Sequence, residues 1–200
     1  MQVFFDDLAL PNLLRTELAE VPEWKSHRAG KKWIDDNRHL LKPPVGNKVV
    51  YEDTEFIVMV VGGPNARKDY HFNESEEFFY QLEGDILVKI QEDGKAVDVP
   101  IKEGDIFLLP PRVPHNPVRG VNTIGLVMER KRREGEQDGL MWFCEKCNAP
   151  LFEKKFKLTN IMTQFQETFK EFYGSEDLRT CKKCAHVMNP PVAVKQESSH

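Results

Sequence analysis

The sequence contains no apolar run long enough to cross a membrane, and basic residues are not in excess. Its 28 lysines and arginines are outnumbered by 32 aspartates and glutamates, which gives a formal net charge of -4. That balance argues against general nucleic-acid binding, which needs a basic face. The first residues lack a basic segment followed by an apolar stretch, so we expect no secretory signal and a cytoplasmic protein. We therefore expect neither a membrane nor nucleic acid as a partner.

Cysteine is absent outside two Cys-x-x-Cys pairs, Cys144/Cys147 and Cys181/Cys184. The two pairs are separated by 33 residues. Four thiolates arranged in two such pairs can surround one tetrahedral ion, and iron and zinc both accept four sulfurs. The closed thiolate shell leaves no position for a substrate, which predicts a structural or electron-handling role. Four free thiols, a disulfide-redox function or a contribution from His186 are the alternatives. A redox function is disfavoured because no thioredoxin-like βαβ pattern surrounds either pair.

From Asn47 onward the sequence consists of short β-branched and aromatic runs separated by turn residues. Asp93-Gly94 is a strong hairpin signal. Short strands at this spacing favour a sandwich or barrel over a parallel α/β sheet. The predicted strands are 49–51, 56–61, 78–82, 86–90, 97–101, 106–109 and 124–129.

Helices are predicted on either side of the strands. One is expected at 13–18 with Asn12 as its cap, and another at 163–172. In the second helix Phe165, Phe169 and Phe172 fall on one apolar face, which is expected to pack. The charged residues 130–139 are expected to form a solvated connection. The predicted division has four parts. They are an N-terminal segment that packs on the barrel (1–44), the barrel core (45–135), a four-cysteine module with its helix (136–190) and a disordered tail (191–200).

Two stretches carry the spacing of one metal site. Residues 71–84 follow His-x-Asn-x3-Glu-x6-Gly, and residues 104–119 follow Gly-x5-Pro-x4-His-x3-Arg. Two imidazoles and one carboxylate, from His71, His115 and Glu77, can hold three adjacent positions of a metal ion and leave three open. This set of ligands suits non-haem Fe(II) and oxygen chemistry.

The two stretches resemble the cupin motifs His-x-His-x3-Glu-x6-Gly and Gly-x5-Pro-x-Gly-x2-His-x3-Asn, with Asn73, Arg112 and Arg119 at the positions that differ. The resemblance implies an all-β cupin barrel, a double-stranded β-helix or jelly roll, with flanking helices and a small C-terminal four-cysteine metal-binding module. Together with the cysteine pairs, four further segments resemble the bacterial 3-hydroxyanthranilate 3,4-dioxygenase family. They are Gly46-Asn47-Lys48, Arg67-x3-His71-x5-Glu77, His115-Asn116-Pro117-Val118-Arg119 and Val127-Met128-Glu129-Arg130.

This resemblance implies an Fe(II)-dependent extradiol-type enzyme that converts 3-hydroxyanthranilate and O2 to 2-amino-3-carboxymuconate semialdehyde, on the kynurenine route to quinolinate and NAD. It implies His71, Glu77 and His115 as iron ligands. It also implies a rubredoxin-like second site, with iron or zinc, at the four cysteines, and a homodimer. The residues implied to contact substrate are Arg67, Arg119, Glu129 and, at the pocket edge, Asn47.

The chemistry of an aminophenol carboxylate fits these residue types. Three open positions on the iron would accept the hydroxyl and amine of the substrate together with O2. A guanidinium grips a carboxylate with two parallel hydrogen bonds, which suits Arg67 and Arg119. Glu129 could take up a substrate proton.

Two alternatives stay open on sequence grounds. Another cupin oxygenase, acting on a related aminophenol or catechol carboxylate, would use the same ligands. A non-enzymatic, ligand-binding cupin regulator would bind DNA and consume no O2.

Overall fold

The computed structural model describes residues 30–42, 46–51, 54–159 and 161–192. The helix predicted at 13–18 lies outside these residues, as do most of the predicted tail and of segment 1–44. An N-terminal unit ends at Asp36 and a larger unit begins at Asn37. Helix α1, Gly30–Asn37, lies almost wholly in the first unit. None of the helices in the described ranges has the length and apolar character that a membrane crossing requires.

The larger unit is built mainly of strands. After a short 3-10 turn, Arg38–Leu40, come eleven described strands and then helices α2, Ile161–Gly174, and α3, Glu176–Arg179. The strands are β1 Asn47–Tyr51, β2 Phe56–Gly62, β3 Tyr70–Phe72, β4 Glu77–Glu83, β5 Ile86–Glu92, β6 Lys95–Ile101, β7 Ile106–Leu109, β8 His115–Arg119, β9 Ile124–Arg130, β10 Asp138–Phe143 and β11 Pro150–Phe156.

The strands form two sheets in which all named pairs are antiparallel. One sheet has the order β1-β2-β9-β4-β7, and the other has the order β11-β10-β3-β8-β5-β6. Alternation of side chains sends every second residue inward, so that Phe79 is 1% exposed and its neighbour Tyr80 is 38% exposed. Phe79, Met59 and Val127 from the first sheet pack with Val88 and Ile101 from the second. The core therefore lies between the sheets, and the predicted all-β barrel is confirmed.

A second apolar cluster joins the C-terminal part of the chain to β10. Trp142 of β10 stacks on Phe172 of α2 with ring centroids 4.3 Å apart, and Phe165 belongs to the same cluster. The phenylalanine face of the predicted helix packs, as expected. The domain division stays a prediction, but β10 and β11 of segment 136–190 lie in the same sheet as barrel strands.

The charged connection between β9 and β10 differs from the prediction. The side chain of Arg132 is 9% exposed and that of Asp138 is fully buried. The prediction of a solvated connection was wrong for these two residues, because they pair with each other and Arg132 also pairs with Glu129 of β9.

Candidate active site

Three potential ligands converge between the two sheets. His71 of β3 is the direct cross-strand partner of His115, the first residue of β8, and their ring centroids are 5.3 Å apart. Glu77 begins β4, and its Oε2 lies 3.1 Å from Nε2 of His115. The three donor atoms lie within 4.8 Å of one another, and none of the three residues is more than 7% exposed. The structure thus brings together the three side chains that the motif spacing predicts as ligands.

No other histidine, cysteine or acid among the described residues joins this group. Asn73 stands where the cupin motif has a further histidine. Its amide nitrogen donates to Glu129 Oε2 at 3.0 Å and lies 3.3 Å from Glu77 Oε2. Its buried Oδ1 has no hydrogen-bond partner in the described part of the chain. A ligand set of three, with a buried and unpartnered amide oxygen beside it, suits a metal that must also bind small molecules.

The electrostatics of the ligand group favour a cation. Burial raises the pKa of Glu77. The charges of His115, His71 and Arg132 and the hydrogen bond from His115 outweigh burial and lower the pKa to about 2. Burial lowers the pKa of His115, and the Glu77 carboxylate raises it by more. Each of these two side chains therefore favours the charged form of the other. A divalent ion would replace the imidazole proton, because histidine ligates metals in its neutral form.

Glu129 lies directly opposite Glu77 on the neighbouring strand β9. It is 3% exposed, and Arg132 donates to its Oε2 at 2.9 Å. Burial raises the pKa of Glu129, and the adjacent Glu77 charge raises it further, against the lowering effect of Arg132. A carboxylate with a raised pKa is a stronger proton acceptor than an ordinary glutamate.

Arg119 is a buried cation inside the barrel. Its side chain lies on β8, four residues after His115, and the residue is 2% exposed. Its Nη1 donates to Gln81 Oε1 at 3.2 Å, and its Nε has no partner among the described residues. Burial lowers the pKa of Arg119 to about 10, although Glu77 opposes this. The guanidinium has space because residue 125 is glycine: a Cβ there would lie 2.9 Å from Nη1.

Arg67 occupies a different environment. Its Nε donates to Asp69 Oδ1 at 3.0 Å, Nη2 donates to Oδ2, and 38% of its side chain is exposed. The guanidinium carbon lies 5.5 Å from the ring centre of Phe165, and that ring lies 5.3 Å from the ring of His71. Helix α2 of the C-terminal segment therefore reaches both a candidate ligand and a candidate substrate contact.

Asn47 is the first residue of β1, an edge strand, and pairs with Val61. It is half-buried and is not a member of the ligand group.

Sequence reasoning missed four residues around the site. Arg132 and Asp138 were concealed in a run of alternating charges typical of a solvated segment, and nothing local distinguishes them. Gln81 and Gly125 lie four residues from Glu77 and Glu129, so strand alternation places them on the same inner face. That spacing was the one signal that could have found them.

The four cysteines form a separate group. Cys144 Sγ lies 3.6 Å from Cys184 Sγ, and Cys147 Sγ lies 3.5 Å from Cys181 Sγ. A tetrahedral ion with metal–sulfur bonds of about 2.3 Å sets its sulfurs about 3.8 Å apart. The sulfur spacing therefore fits one four-thiolate ion and is too long for disulfides. His186 is not in the group.

The two Cys-x-x-Cys turns have the same backbone design. Cys144 N–H donates to Ala149 O and Asn148 N–H donates to Cys144 O, and Cys181, His186 and Ala185 repeat this pattern. The residue after each second cysteine has a left-handed backbone, with φ 56° at Asn148 and 58° at Ala185. Matched turns of this kind present two thiolates each to a shared ion.

Two antiparallel sheets with a buried pair of histidines and a glutamate on their inner side define a metal-binding cupin. A cupin-2 domain protein from Shewanella frigidimarina NCIMB 400 is similar to the chain with a TM-score of 0.42 and 15% identity, covering 49% of this chain and 92% of that one. The family model for 3-hydroxyanthranilic acid dioxygenase matches residues 27–173. The chain belongs to that family.

Curated relatives agree with this membership. A protein named 3-hydroxyanthranilate 3,4-dioxygenase from Xanthomonas campestris pv. campestris (strain B100) is 56% identical over 159 residues, which are 80% of this chain and 90% of the relative. A protein of the same name from Bacillus cereus (strain ATCC 10987 / NRS 248) is 49% identical over 158 residues, covering 78% and 88%.

Proposed function

We propose that this chain catalyses the Fe(II)-dependent ring-cleaving dioxygenation of 3-hydroxyanthranilate to 2-amino-3-carboxymuconate semialdehyde, on the kynurenine route to quinolinate and NAD. Family membership and relatives at 49% and 56% identity support the reaction class. The observation that carries the substrate assignment is the buried Arg119 guanidinium, which has no carboxylate partner among the described residues.

His71, Glu77 and His115 are proposed to hold the Fe(II) ion. Bound there, the iron would supply coordination of the hydroxyl and amine of the substrate and activation of O2. The donor set supports this assignment, because three protein ligands leave three positions and no fourth histidine, cysteine or acid joins them among the described residues. Asn73 contributes by holding Glu77 and Glu129 together through one amide group.

Arg119 is proposed to bind the carboxylate of the substrate. A buried cation without an anionic partner is costly, and a bound carboxylate would offset that cost with charge-assisted hydrogen bonds. Its Nε is free to donate, and Gln81 fixes only Nη1. Arg67 would add a second positive charge, and its ion pair with Asp69 and its contact with Phe165 hold it in place.

Glu129 is proposed to accept the proton that the substrate hydroxyl loses on binding. Its burial and the neighbouring Glu77 charge raise its pKa, which increases its proton affinity. Arg132 keeps a positive charge beside it, so that the carboxylate form stays accessible. Glu129 would therefore act as general base. Asn47 is proposed to contact the substrate at the edge of the pocket.

A homodimer and a cytoplasmic location are also proposed, with iron or zinc in the four-cysteine site and with neither membrane nor nucleic acid as partner. The outer face of the five-stranded sheet supports the homodimer, because it exposes large apolar side chains. Ile106 is 68% exposed, Leu108 55% and Phe56 50%. Ile106 and Leu108 lie two residues apart on β7, and adjacent exposed apolar side chains are typical of protein–protein contacts. Light scattering on the purified protein should give twice the mass of one chain.

The central experiment is anaerobic reconstitution with Fe(II), followed by addition of 3-hydroxyanthranilate and O2. We expect equal consumption of both and a new near-UV chromophore. Absence of turnover by loaded, reduced protein would refute the proposal. Parallel assays with 2-aminophenol and with catechol carboxylates separate this substrate from those of other cupin oxygenases. Salt-dependent DNA binding without O2 uptake would instead support a regulator.

A further inference from the structure

Arg132 and Asp138 form a buried ion pair directly behind the ligand group. Arg132 Nε donates to Asp138 Oδ1 at 2.7 Å, and Nη2 donates to Oδ2 at 2.5 Å. Asp138 is fully buried, and 9% of the Arg132 side chain is exposed. Two parallel hydrogen bonds from one guanidinium fix both side chains in a single orientation.

Each member of the pair also contacts a residue of the candidate site. Asp138 Oδ2 lies 2.7 Å from Nε2 of His71. Arg132 Nη1 lies 2.9 Å from Oε2 of Glu129. One guanidinium therefore links a candidate ligand, through Asp138, to the candidate general base. Asp138 itself is not a member of the ligand group.

We propose that Arg132 and Asp138 are positioning residues, with Asp138 fixing the ring and tautomer of His71 and Arg132 holding Asp138 and Glu129 in place. The proposal rests on the proposed function, because it assigns His71 to the metal. Asp138 receives a guanidinium N–H on each oxygen, which holds it in its ionised form, and an ionised carboxylate can only accept hydrogen bonds. Nε2 of His71 must therefore carry the proton, and the other ring nitrogen keeps its lone pair for a metal.

The hydrogen-bond geometry also favours the charged form of both side chains. A guanidinium stays protonated in proteins, and the two N–H groups that Arg132 donates to Asp138 stabilise its carboxylate form. A carboxylate partner on a ligating imidazole fixes the ring and raises its basicity as a ligand.

A purely structural ion pair is the competing explanation, and the same connection contains a matched control. Arg130 donates to Glu136 through Nη1 at 2.7 Å and Nη2 at 2.5 Å, with the same six-residue separation. Neither Arg130 nor Glu136 belongs to the ligand group. Substitutions in this second pair change charge and ion pairing without touching His71 or Glu129.

The first test compares Asp138→Asn with Glu136→Gln. Anaerobic equilibrium dialysis measures Fe(II) bound per chain beyond the ion held by the four thiolates. We expect Asp138→Asn to weaken Fe(II) binding about 10- to 100-fold, the usual effect of removing a partner from a ligating histidine, while Glu136→Gln binds like the wild type. Circular dichroism confirms folding of each variant. Wild-type affinity in folded Asp138→Asn would overturn the proposal.

The second test compares Arg132→Lys with Arg130→Lys. Lysine keeps the positive charge but lacks the planar guanidinium that donates hydrogen bonds to two carboxylates at once. We expect Arg132→Lys to lower kcat about tenfold or more while KM changes little, and Arg130→Lys to leave both unchanged. Equal kinetics in the two variants would overturn the role of Arg132.

A third measurement needs no variant. In Zn(II)-loaded wild type with 15N-labelled histidine, long-range 1H–15N spectra should place the His71 ring proton on Nε2. A proton on Nδ1 would overturn the proposal even if Asp138→Asn fails to fold. Failure of the wild type to consume substrate and O2 would refute the proposed function, whereas metal binding and the histidine spectra report on the positioning pair independently.

Discussion

Arg119→Met tests the substrate assignment most directly. The proposed contact consists of charge-assisted hydrogen bonds between a buried guanidinium and the substrate carboxylate, each contributing about 1.5–3 kcal/mol. Two such bonds correspond to about 3–6 kcal/mol, or a loss of about 10²- to 10⁴-fold in kcat/KM. The variant should therefore be almost inactive toward 3-hydroxyanthranilate.

The same substitution should not destabilise the substrate-free protein. A pKa lowered from its ordinary value to about 10 means that the surroundings, burial against the attraction of Glu77, penalise the charged form by about 3 kcal/mol. Methionine removes that net penalty, whereas Gln81 Oε1 loses its hydrogen-bond donor, which offsets part of the gain. Denaturant unfolding should show an unchanged or increased free energy of unfolding, with an increase of up to about 3 kcal/mol.

The assay follows O2 uptake and product absorbance with two substrates, 3-hydroxyanthranilate and 2-aminophenol, which lacks the carboxylate. Wild type should strongly prefer the first, and Arg119→Met should lose most of that preference because its activity on 2-aminophenol falls less than roughly threefold. Arg133→Met, at an exposed arginine, is the control. Equal losses on both substrates would show that Arg119 does not recognise the carboxylate.

Four further predictions concern single positions. Gly125→Ala should raise KM about tenfold or more with little change in stability, because the added Cβ would lie 2.7 Å from Gln81 Oε1 and 2.9 Å from Arg119 Nη1 and displace the guanidinium; an unchanged KM would contradict this packing. Glu129→Gln should lower kcat about 10²-fold while Fe(II) content by metal analysis stays the same; wild-type kcat would exclude Glu129 as the base. Cys181→Ser should lose one metal ion per chain and unfold at a lower temperature, because thiolate–metal bonds contribute to folding; an unchanged metal count would separate Cys181 from the second site. Ala185→Gly should raise the free energy of unfolding by about 1 kcal/mol, because φ is 58° there; a loss of stability would show that the alanine methyl contributes packing.

Local sequence patterns predicted most of the barrel strands and the residues of the candidate metal site. Short apolar runs between turn residues predicted seven of the eleven described strands, and motif spacing predicted the meeting of His71, Glu77 and His115. Strands β10 and β11 were not predicted, and neither were β3 and β8. The latter two are short and consist partly of polar site residues. Their position depends on pairing with each other, which no local pattern contains.

Charge pairing that forms only in the folded protein explains what the sequence could not reveal. Asp138 is buried because its partners come from positions 71 and 132, and Arg132 is buried because Glu129 and Asp138 face it from two strands. In the sequence both residues lie among exposed charges of both signs. Arg119 was predicted as a substrate contact, but its isolation from carboxylates is visible only in three dimensions.

Strand β10 has a consequence for how this enzyme could be shortened. It begins at Asp138, lies beside β3 with Leu140 opposite His71, and leads directly into Cys144. A protein truncated before residue 136 would lose the hydrogen-bonding neighbour of a three-residue strand that carries a ligand. Deleting the cysteine-rich end would therefore damage the proposed metal site, and a shorter relative without this end would need another strand to cover that edge.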